Sequence, residues 1–167
     1  MRLRPRRHSP IAVGPGERVL ADAVAEGAHL GGTRDAFYAD VGGAEAPLRV
    51  GWEAVQAADW DADTSTLTVT EVGVWGQPRP RHVFVVREPG RLLELVRERV
   101  TASVLLQRDV PVAGRRGVRV IGRRAPRGNQ AVRWLVEYDE GVDPEDPSVV
   151  DAVAEALAAA QAEVGAP

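Results

Sequence analysis

The stretch from Leu48 to Gly73, LRVGWEAVQAADWDADTSTLTVTEVG, decides the class of fold. Apolar and polar residues alternate on both sides of a polar turn, Asp61-Ala62-Asp63-Thr64-Ser65. Alternation with a period of two is typical of half-buried strands. The pattern predicts strands near residues 47–51, 54–60 and 66–73, with a tight corner at Gly51-Trp52-Glu53. Three short strands joined by turns form an antiparallel meander.

Short strands are also predicted on both sides of this meander. They lie near residues 17–24, 28–32, 36–39 and 81–87. An amphipathic helix follows over residues 91–107, in which Leu92, Val96, Val100 and Val104 are spaced by four. Because open sheet edges tend to pair with other chains, this succession of strands favours a closed structure. The predicted fold class is α+β, a seven-stranded antiparallel barrel or orthogonal sandwich capped by the helix.

This arrangement resembles the pleckstrin-homology-like barrel. The segment Arg49-Val50-Gly51-Trp52-Glu53-Ala54-Val55 is similar to the strand and Trp-Glu corner common in bacterial and GRAM-type members, and Thr33-Arg34-Asp35-Ala36-Phe37-Tyr38 is similar to one of their strands. The resemblance covers about residues 14–107. It implies a binding domain, because this superfamily usually holds lipid headgroups, peptides or partner proteins. The loop that carries basic residues in phosphoinositide binders corresponds here to residues 25–29, which include no Arg or Lys.

Two further segments lie outside the predicted barrel domain, which spans residues 11–107. Residues 1–10 are rich in Arg and Pro and predict a flexible basic arm. Residues 112–165 predict a β-hairpin followed by a helix, with one apolar face on the hairpin. A lone hairpin is marginally stable in water, so the helix is expected to cover that face. The apolar stripe of this helix consists of Val149, Val150, Val153, Leu157 and Ala160 or Val164. We expect this ββα extension to pack on the barrel, with dimerisation through it as the alternative.

The composition excludes several kinds of chemistry. The 167 residues include no Cys, which excludes disulfides, thiol catalysis and thiolate metal sites. All 21 basic residues are Arg, which excludes Schiff-base and Lys general-base mechanisms. The basic start is not followed by an apolar run, and no run approaches the ~18 residues of a membrane helix. A cytoplasmic location is therefore expected.

No catalytic or metal-binding arrangement stands out in the sequence. The three histidines lack the spacing of metal ligands. Asp59, Asp61 and Asp63 alternate, but a calcium-binding EF-hand loop would need Gly at the position of Thr64 and Glu at that of Thr70. We therefore predict no catalytic residue, no metal, no cofactor and no enzymatic activity.

Charge is unevenly distributed, although the net charge is −3. Residues 108–133 are rich in Arg and hold one acidic residue, Asp109, whereas residues 137–145 are acidic. Cross-strand ion pairs on a solvated strand face would explain this pattern. The alternative is a surface for anions, either nucleic acid or acidic lipid, on the hairpin from Arg115 to Arg127.

The four tryptophans divide into two groups. Trp52, Trp60 and Trp134 lie on predicted strands with apolar neighbours and are assigned to packing. Trp75 lies in a Gly- and Pro-rich loop near Arg79 and Arg81, where an exposed aromatic ring can anchor a partner.

The predicted function is a non-enzymatic binding or scaffolding module that contacts a protein partner or a second copy of itself. The candidate partner-binding residues are Trp75, Arg79, Arg81, Arg115, Arg116, Arg119, Arg123 and Arg124. Binding of anions by the Arg115–Arg127 hairpin is the alternative. Nucleic acid is disfavoured, because the chain is acidic and the hairpin lacks stacking aromatic residues apart from Trp134. Acidic membrane lipid is a weaker alternative, and no small-molecule substrate is indicated.

Overall fold

The computed structural model of the chain describes residues 10–74, 77–127 and 130–165. It divides into two compact units, which meet in the sequence at residue 100. Unit 1 comprises Met1–Val100 and unit 2 comprises Thr101–Pro167.

Unit 1 begins with a four-stranded antiparallel sheet. Its strands are β1 (Ala21–Ala25), β2 (Ala28–Gly32), β3 (Ala36–Val41) and β4 (Leu48–Gly51), paired in that order. Gly27 has a φ of 74°, a left-handed conformation that glycine adopts without strain, and it allows the tight turn between β1 and β2. Alternate residues such as Leu30, Phe37 and Val50 face the core.

A 3₁₀ turn, Trp52–Ala54, leads into a three-stranded antiparallel sheet. This sheet consists of β5 (Val55–Asp61), β6 (Thr66–Glu71) and β7 (Arg81–Val85), in the order β5-β6-β7. Between β5 and β6, one carboxylate oxygen of Asp61 accepts hydrogen bonds from the backbone N–H groups of Asp63 and Thr64. These bonds close the polar turn in the way that Asx turns do. Helix α1 (Leu92–Ala102) follows β7.

One apolar core joins both sheets of unit 1 to α1. Trp52 is fully buried at its centre, and its indole N–H donates to the carbonyl of Thr33 at 3.1 Å. The ring of Phe37 lies edge-on to Trp52, with 6.4 Å between centroids, and 5.9 Å from the ring of Phe84 on β7. Leu92 and other residues of α1 complete the core.

The predicted seven-stranded barrel is wrong. The seven strands of unit 1 form an open sheet of four strands and an open sheet of three, and neither closes on itself. Closure requires a continuous ladder between the first and last strands. Near the ends of β1 and β7 the described residues form instead one backbone hydrogen bond, from Glu26 N–H to the Val85 carbonyl at 2.9 Å. The chain passes between the sheets through the 3₁₀ turn at Trp52, so the corner separates two sheets.

Unit 2 is a three-stranded antiparallel sheet covered on one face by a helix. The strands are β8 (Val104–Ala113), β9 (Arg116–Arg123) and β10 (Arg133–Tyr138), in the order β10-β9-β8, and the helix is α2 (Pro147–Val164). Asp146 caps α2, because its carboxylate accepts from the Ser148 N–H at 2.8 Å. Ala156 and Ala160 are buried against Val120, and their small side chains let the helix lie close to the sheet.

Three sequence predictions for this region are wrong. The predicted helix over residues 91–107 ends at Ala102, and β8 adds a third strand to the predicted hairpin. The spacing of four between Val100 and Val104 fits a helical turn, but it equally fits two repeats of a strand. Pairing with β9 makes the strand the more stable choice, since Val104, Leu106, Arg108 and Val110 are half-buried and the residues between them are exposed. On α2, Val150 was assigned to the apolar stripe but is 49% exposed.

We expect Gly122→Ala to destabilise unit 2, whereas Gly42→Ala has little effect. A methyl group at Gly122 would lie 2.9 Å from the Trp134 ring, opposite it in β10, while nothing lies within 4 Å of the corresponding position at Gly42. Overpacking of this kind costs about 1–3 kcal/mol. Urea unfolding followed by circular dichroism measures both variants, and equal unfolding free energies would contradict the packing described for β9 and β10.

Candidate binding site

Two of the histidines each lie beside a carboxylate. His29 lies 3.3 Å from Asp22, and His82 lies 2.6 Å from Glu71 across β6 and β7. Within residues 10–74, 77–127 and 130–165, no group of three or more His, Asp or Glu side chains is placed to hold a metal ion. Among the same residues, no helix has the length and apolar character needed to cross a membrane.

The most highly connected polar cluster lies around Glu17 in unit 1. The Glu17 side chain is 6% exposed. It accepts hydrogen bonds from the Tyr38 hydroxyl, from Thr33 Oγ1 at 2.7 Å and from Arg49 Nε at 3.2 Å. Ile11, a few residues earlier, packs on Tyr38. The cluster therefore fastens the segment before β1 to the outer face of the first sheet.

The ionisation of this cluster is tuned by these contacts. Burial alone would raise the pKa of the Glu17 carboxyl, but the hydrogen bonds from Tyr38, Thr33 and Arg49 outweigh burial and lower it. Burial and the hydrogen bond to Glu17 raise the pKa of the Tyr38 phenol. For Arg49, burial would lower the guanidinium pKa, yet the bonds to Glu17 and Tyr38 raise it overall. Because both oxygens of Glu17 are occupied by donors from the chain itself, we assign the cluster to structure.

The hairpin arginines do not form one continuous cationic surface. Arg119 Nε donates to Asp109 at 2.8 Å, and its Nη1 lies 3.6 Å from Glu137, so carboxylates flank it on both sides. Its hydrogen bond with Asp109 raises the pKa of the Arg119 guanidinium. Arg123 is 5% exposed and donates to Ser103 Oγ at 2.8 Å, and burial lowers its pKa. Arg124 is half-buried beside it.

The remaining predicted residues are distributed over three places. Arg115 and Arg116 are exposed at the turn between β8 and β9. Arg79 and Arg81 are exposed before and at the start of β7. Trp75 lies outside the described residues. The structure thus brings Arg115, Arg116 and Arg119 around one pocket.

An apolar cleft in unit 1 lies between strand β5 and helix α1. It has a volume of about 590 Å³. Ala58, Asp59 and Trp60 line it from β5, Leu67 from β6, and Leu93 with Val96 from α1. Successive residues of a strand point to opposite faces of a sheet. A cavity that touches Ala58, Asp59 and Trp60 in succession must therefore open at the edge of β5.

The cleft combines an unpaired strand edge with an apolar floor. β5 ends the order β5-β6-β7, and no strand of the described residues pairs with its other side. Leu67 and Val96 are buried at the floor, and half-buried Trp60 and Leu93 stand above them. Asp59, Glu94 and Arg97 supply charged groups around the cleft. This arrangement can bind an extended chain by backbone hydrogen bonds and by contacts to alternate side chains.

Trp60 is the residue of this cleft that sequence reasoning assigned to the core. It packs partly against the core, as predicted, but part of its surface lines the cleft. No sequence signal distinguishes this position, because the alternation of Trp60 with Asp59 and Asp61 is the ordinary pattern of a half-buried strand.

Comparison of the chain with models of protein families, with curated proteins and with solved structures found no match. The geometry of the described residues is therefore the basis for assigning a function.

We expect Glu17→Gln to lower the free energy of unfolding near neutral pH and to make that free energy depend less on pH. The folded-state pKa of Glu17 lies below the ordinary value of 4.5 for a glutamate, so the carboxylate stabilises the fold above that value. This contribution is lost as the pH falls through the folded-state pKa. The variant should lose about 1–3 kcal/mol at neutral pH, as for hydrogen bonds to a buried charge.

Urea unfolding at several values between about pH 7 and pH 3 tests this expectation. The wild-type unfolding free energy should fall more steeply with acid than that of Glu17→Gln. Glu45→Gln, at an exposed position, is the matched control and should follow the wild type. Parallel curves for wild type and Glu17→Gln would refute the proposed role of the carboxylate.

Proposed function

We propose that unit 1 is a protein-binding module that holds an extended segment of a partner in the cleft between β5 and α1. The observation that carries this proposal is the opening of the cleft along the unpaired edge of β5. Backbone N–H and C=O groups on such an edge require partners, and a peptide strand supplies them.

The size and lining of the cleft support this proposal. A volume of about 590 Å³ lies within the range of roughly 300–1,000 Å³ for pockets that hold small ligands or peptide side chains. Trp60 and Leu93 present apolar surface at half-buried positions, where a further apolar side chain would remove both from water. Aromatic residues in such positions frequently dominate the energy of an interface.

The lining also indicates the chemistry of the bound segment. Side chains of an added strand alternate, so every second residue would face the apolar floor. Asp59 and Glu94 place two carboxylates at the cleft against one guanidinium, that of Arg97. A segment with alternating apolar residues and at least one basic residue would complement this surface.

The proposed role is non-enzymatic, and the charged side chains at the cleft, Asp59, Glu94 and Arg97, are exposed. A binding role requires only the shape and apolar surface that the cleft provides.

We expect Leu93→Glu to abolish peptide binding, because it places a charge on the apolar wall of the cleft. Val24→Glu is the matched control: Val24 is 67% exposed on β1, does not line the cleft, and should tolerate the same substitution. The probe is a displayed library of random 12-residue peptides. Peptides that bind the wild-type chain are selected, and those that also bind the Leu93→Glu variant are removed.

Fluorescence anisotropy then gives the dissociation constant of each selected peptide. Peptides should bind wild type and Val24→Glu alike and bind Leu93→Glu at least about tenfold more weakly, a loss of about 1.4 kcal/mol. Circular dichroism confirms that both variants fold. Failure to enrich any peptide, or equal binding to both variants, would reject the cleft as a peptide site. Light scattering separates the case in which the partner is a second copy, since dimerisation would then be lost in Leu93→Glu alone.

A further inference from the structure

We infer that unit 2 pairs with a second copy of itself through the outer edge of β10. β10 ends the order β10-β9-β8, and no strand of the described residues pairs with its other side. Backbone groups on such an edge readily form hydrogen bonds with a further strand. Two copies related by a two-fold axis would join their sheets into one continuous antiparallel sheet. This surface shares no residue with the cleft in unit 1.

β10 is the more regular of the two edges of this sheet. Its residues, Arg133–Tyr138, pair with β9 in one unbroken register. The opposite edge, β8, contains Pro111, and its register with β9 is interrupted near both ends. Proline and irregular pairing keep an edge strand from adding another strand. β10 carries neither feature, so we assign self-association to this edge.

The backbone of β10 directs alternate residues away from β9. The N–H of Asp139, directly after β10, donates to the Gly117 carbonyl at 3.0 Å and so points toward β9. Because hydrogen-bonded and non-hydrogen-bonded positions alternate along antiparallel strands, the backbone groups of Trp134 and Val136 point to the outer edge. A two-fold axis at Leu135 would place Trp134 of each copy opposite Val136 of the other. Each such pair would exchange two backbone hydrogen bonds.

The side chains of β10 complement one another in this register. On the face opposite α2, Arg133 of each copy would lie opposite Glu137 of the other, with the two Leu135 side chains between these pairs. On the α2 face, Trp134 of each copy would lie opposite Val136 of the other. Opposite charges and apolar groups that face each other across strands stabilise a sheet. An axis at Val136 would instead place Leu135 opposite Glu137.

The charges around β10 support a second copy as the partner. Arg133 is exposed and lies opposite Arg123 of β9, and like charges in this arrangement are destabilising. Glu137 of the second copy, on the other side of Arg133, would offset that repulsion. Within its own chain, Glu137 lies 3.6 Å from Arg119, which also pairs with Asp109. Charges of opposite sign would therefore alternate across the joined strands, from Asp109 through Arg119 and Glu137 to Arg133 of the second copy.

The apolar residues of β10 would also lose contact with water. α2 packs over β8 and β9. Trp134 and Val136 contact the core beneath α2 but remain half-buried. Leu135, on the opposite face, is half-buried as well. Contacts between these residues of the two copies would remove apolar surface from water, which is favourable.

Light scattering of the full chain over a series of concentrations tests for the dimer. We expect a mass that rises from 17.9 kDa toward twice that value. Arg133→Glu places a carboxylate opposite Glu137 at both ends of the contact, and should raise the dissociation constant of the dimer at least about tenfold. Arg115→Glu makes the same change at an exposed site in the turn between β8 and β9. This matched control should dimerise like the wild type, and circular dichroism checks that both variants fold.

Single cysteines measure the register, because the chain has no cysteine of its own. In the proposed dimer the Cβ atoms of the two copies of residue 135 would lie about 4.5–5.5 Å apart. Those of residue 136 would lie on a diagonal, about 7–8 Å apart. Leu135→Cys should therefore form a disulfide-linked dimer under mild oxidation in much higher yield than Val136→Cys. Gel electrophoresis without reductant measures both yields, and this test does not depend on the charge variant.

The β10 contact is refuted if the wild type stays monomeric at every concentration or if Arg133→Glu and Arg115→Glu dimerise alike. It is also refuted if Val136→Cys cross-links as well as Leu135→Cys. Leu93→Glu, in the cleft of unit 1, should leave this dimer intact. A dimer that is lost in Leu93→Glu and kept in Arg133→Glu would assign self-association to the cleft and not to β10.

Discussion

The hydrogen bond from the Trp52 indole to the Thr33 carbonyl is the interaction on which the architecture of unit 1 depends. Trp52 stands at the corner between the two sheets, and Thr33 stands in the turn between β2 and β3. A fully buried indole needs an acceptor for its N–H, because an unpaired buried donor costs about 1–3 kcal/mol. The hydrogen bond to Thr33 therefore fixes the corner at Trp52 against the first sheet. The hydroxyl of the same Thr33 donates to Glu17, so the bond also connects the core to the segment before β1.

This corner has a consequence for binding. Because the chain changes sheet at Trp52, β5 begins a new sheet and does not extend the one that ends at β4. Its outer edge is therefore available, and α1 lies opposite that edge with Leu93 and Arg97 facing the cleft. In a closed barrel the equivalent edge would be paired. The separation into two open sheets thus creates the feature on which the proposed function rests.

The spacing of apolar residues predicted secondary structure correctly where it fitted only one kind of element. It failed where the same spacing fitted both a helix and a strand. The turn from Asp61 to Ser65 and the strands on either side of it follow from polar residues between alternating segments, and the structure places β5 and β6 there. Residues 103–107 were assigned to a helix, although their apolar spacing suits a strand equally well. The choice is made by pairing with β9, which is distant in sequence. Closure of the barrel was predicted wrongly for the same reason, since it depends on whether β1 and β7, which are distant in sequence, form a ladder.

The same distinction between local pattern and spatial pairing governs the candidate sites. Arginines that are adjacent in the sequence have different environments, because a strand sends them to different neighbours. Arg119 meets Asp109 on one side and Glu137 on the other, since β8 and β10 both bring an acidic residue to its register position. Arg116 lies against Gly141 and forms no ion pair with a carboxylate of the described residues. A count of basic residues therefore overstates the positive surface of this hairpin. Even at the turn between β8 and β9, Asp109, Glu137 and Asp139 line the same pocket as Arg115, Arg116 and Arg119, so positive and negative groups are equal in number there.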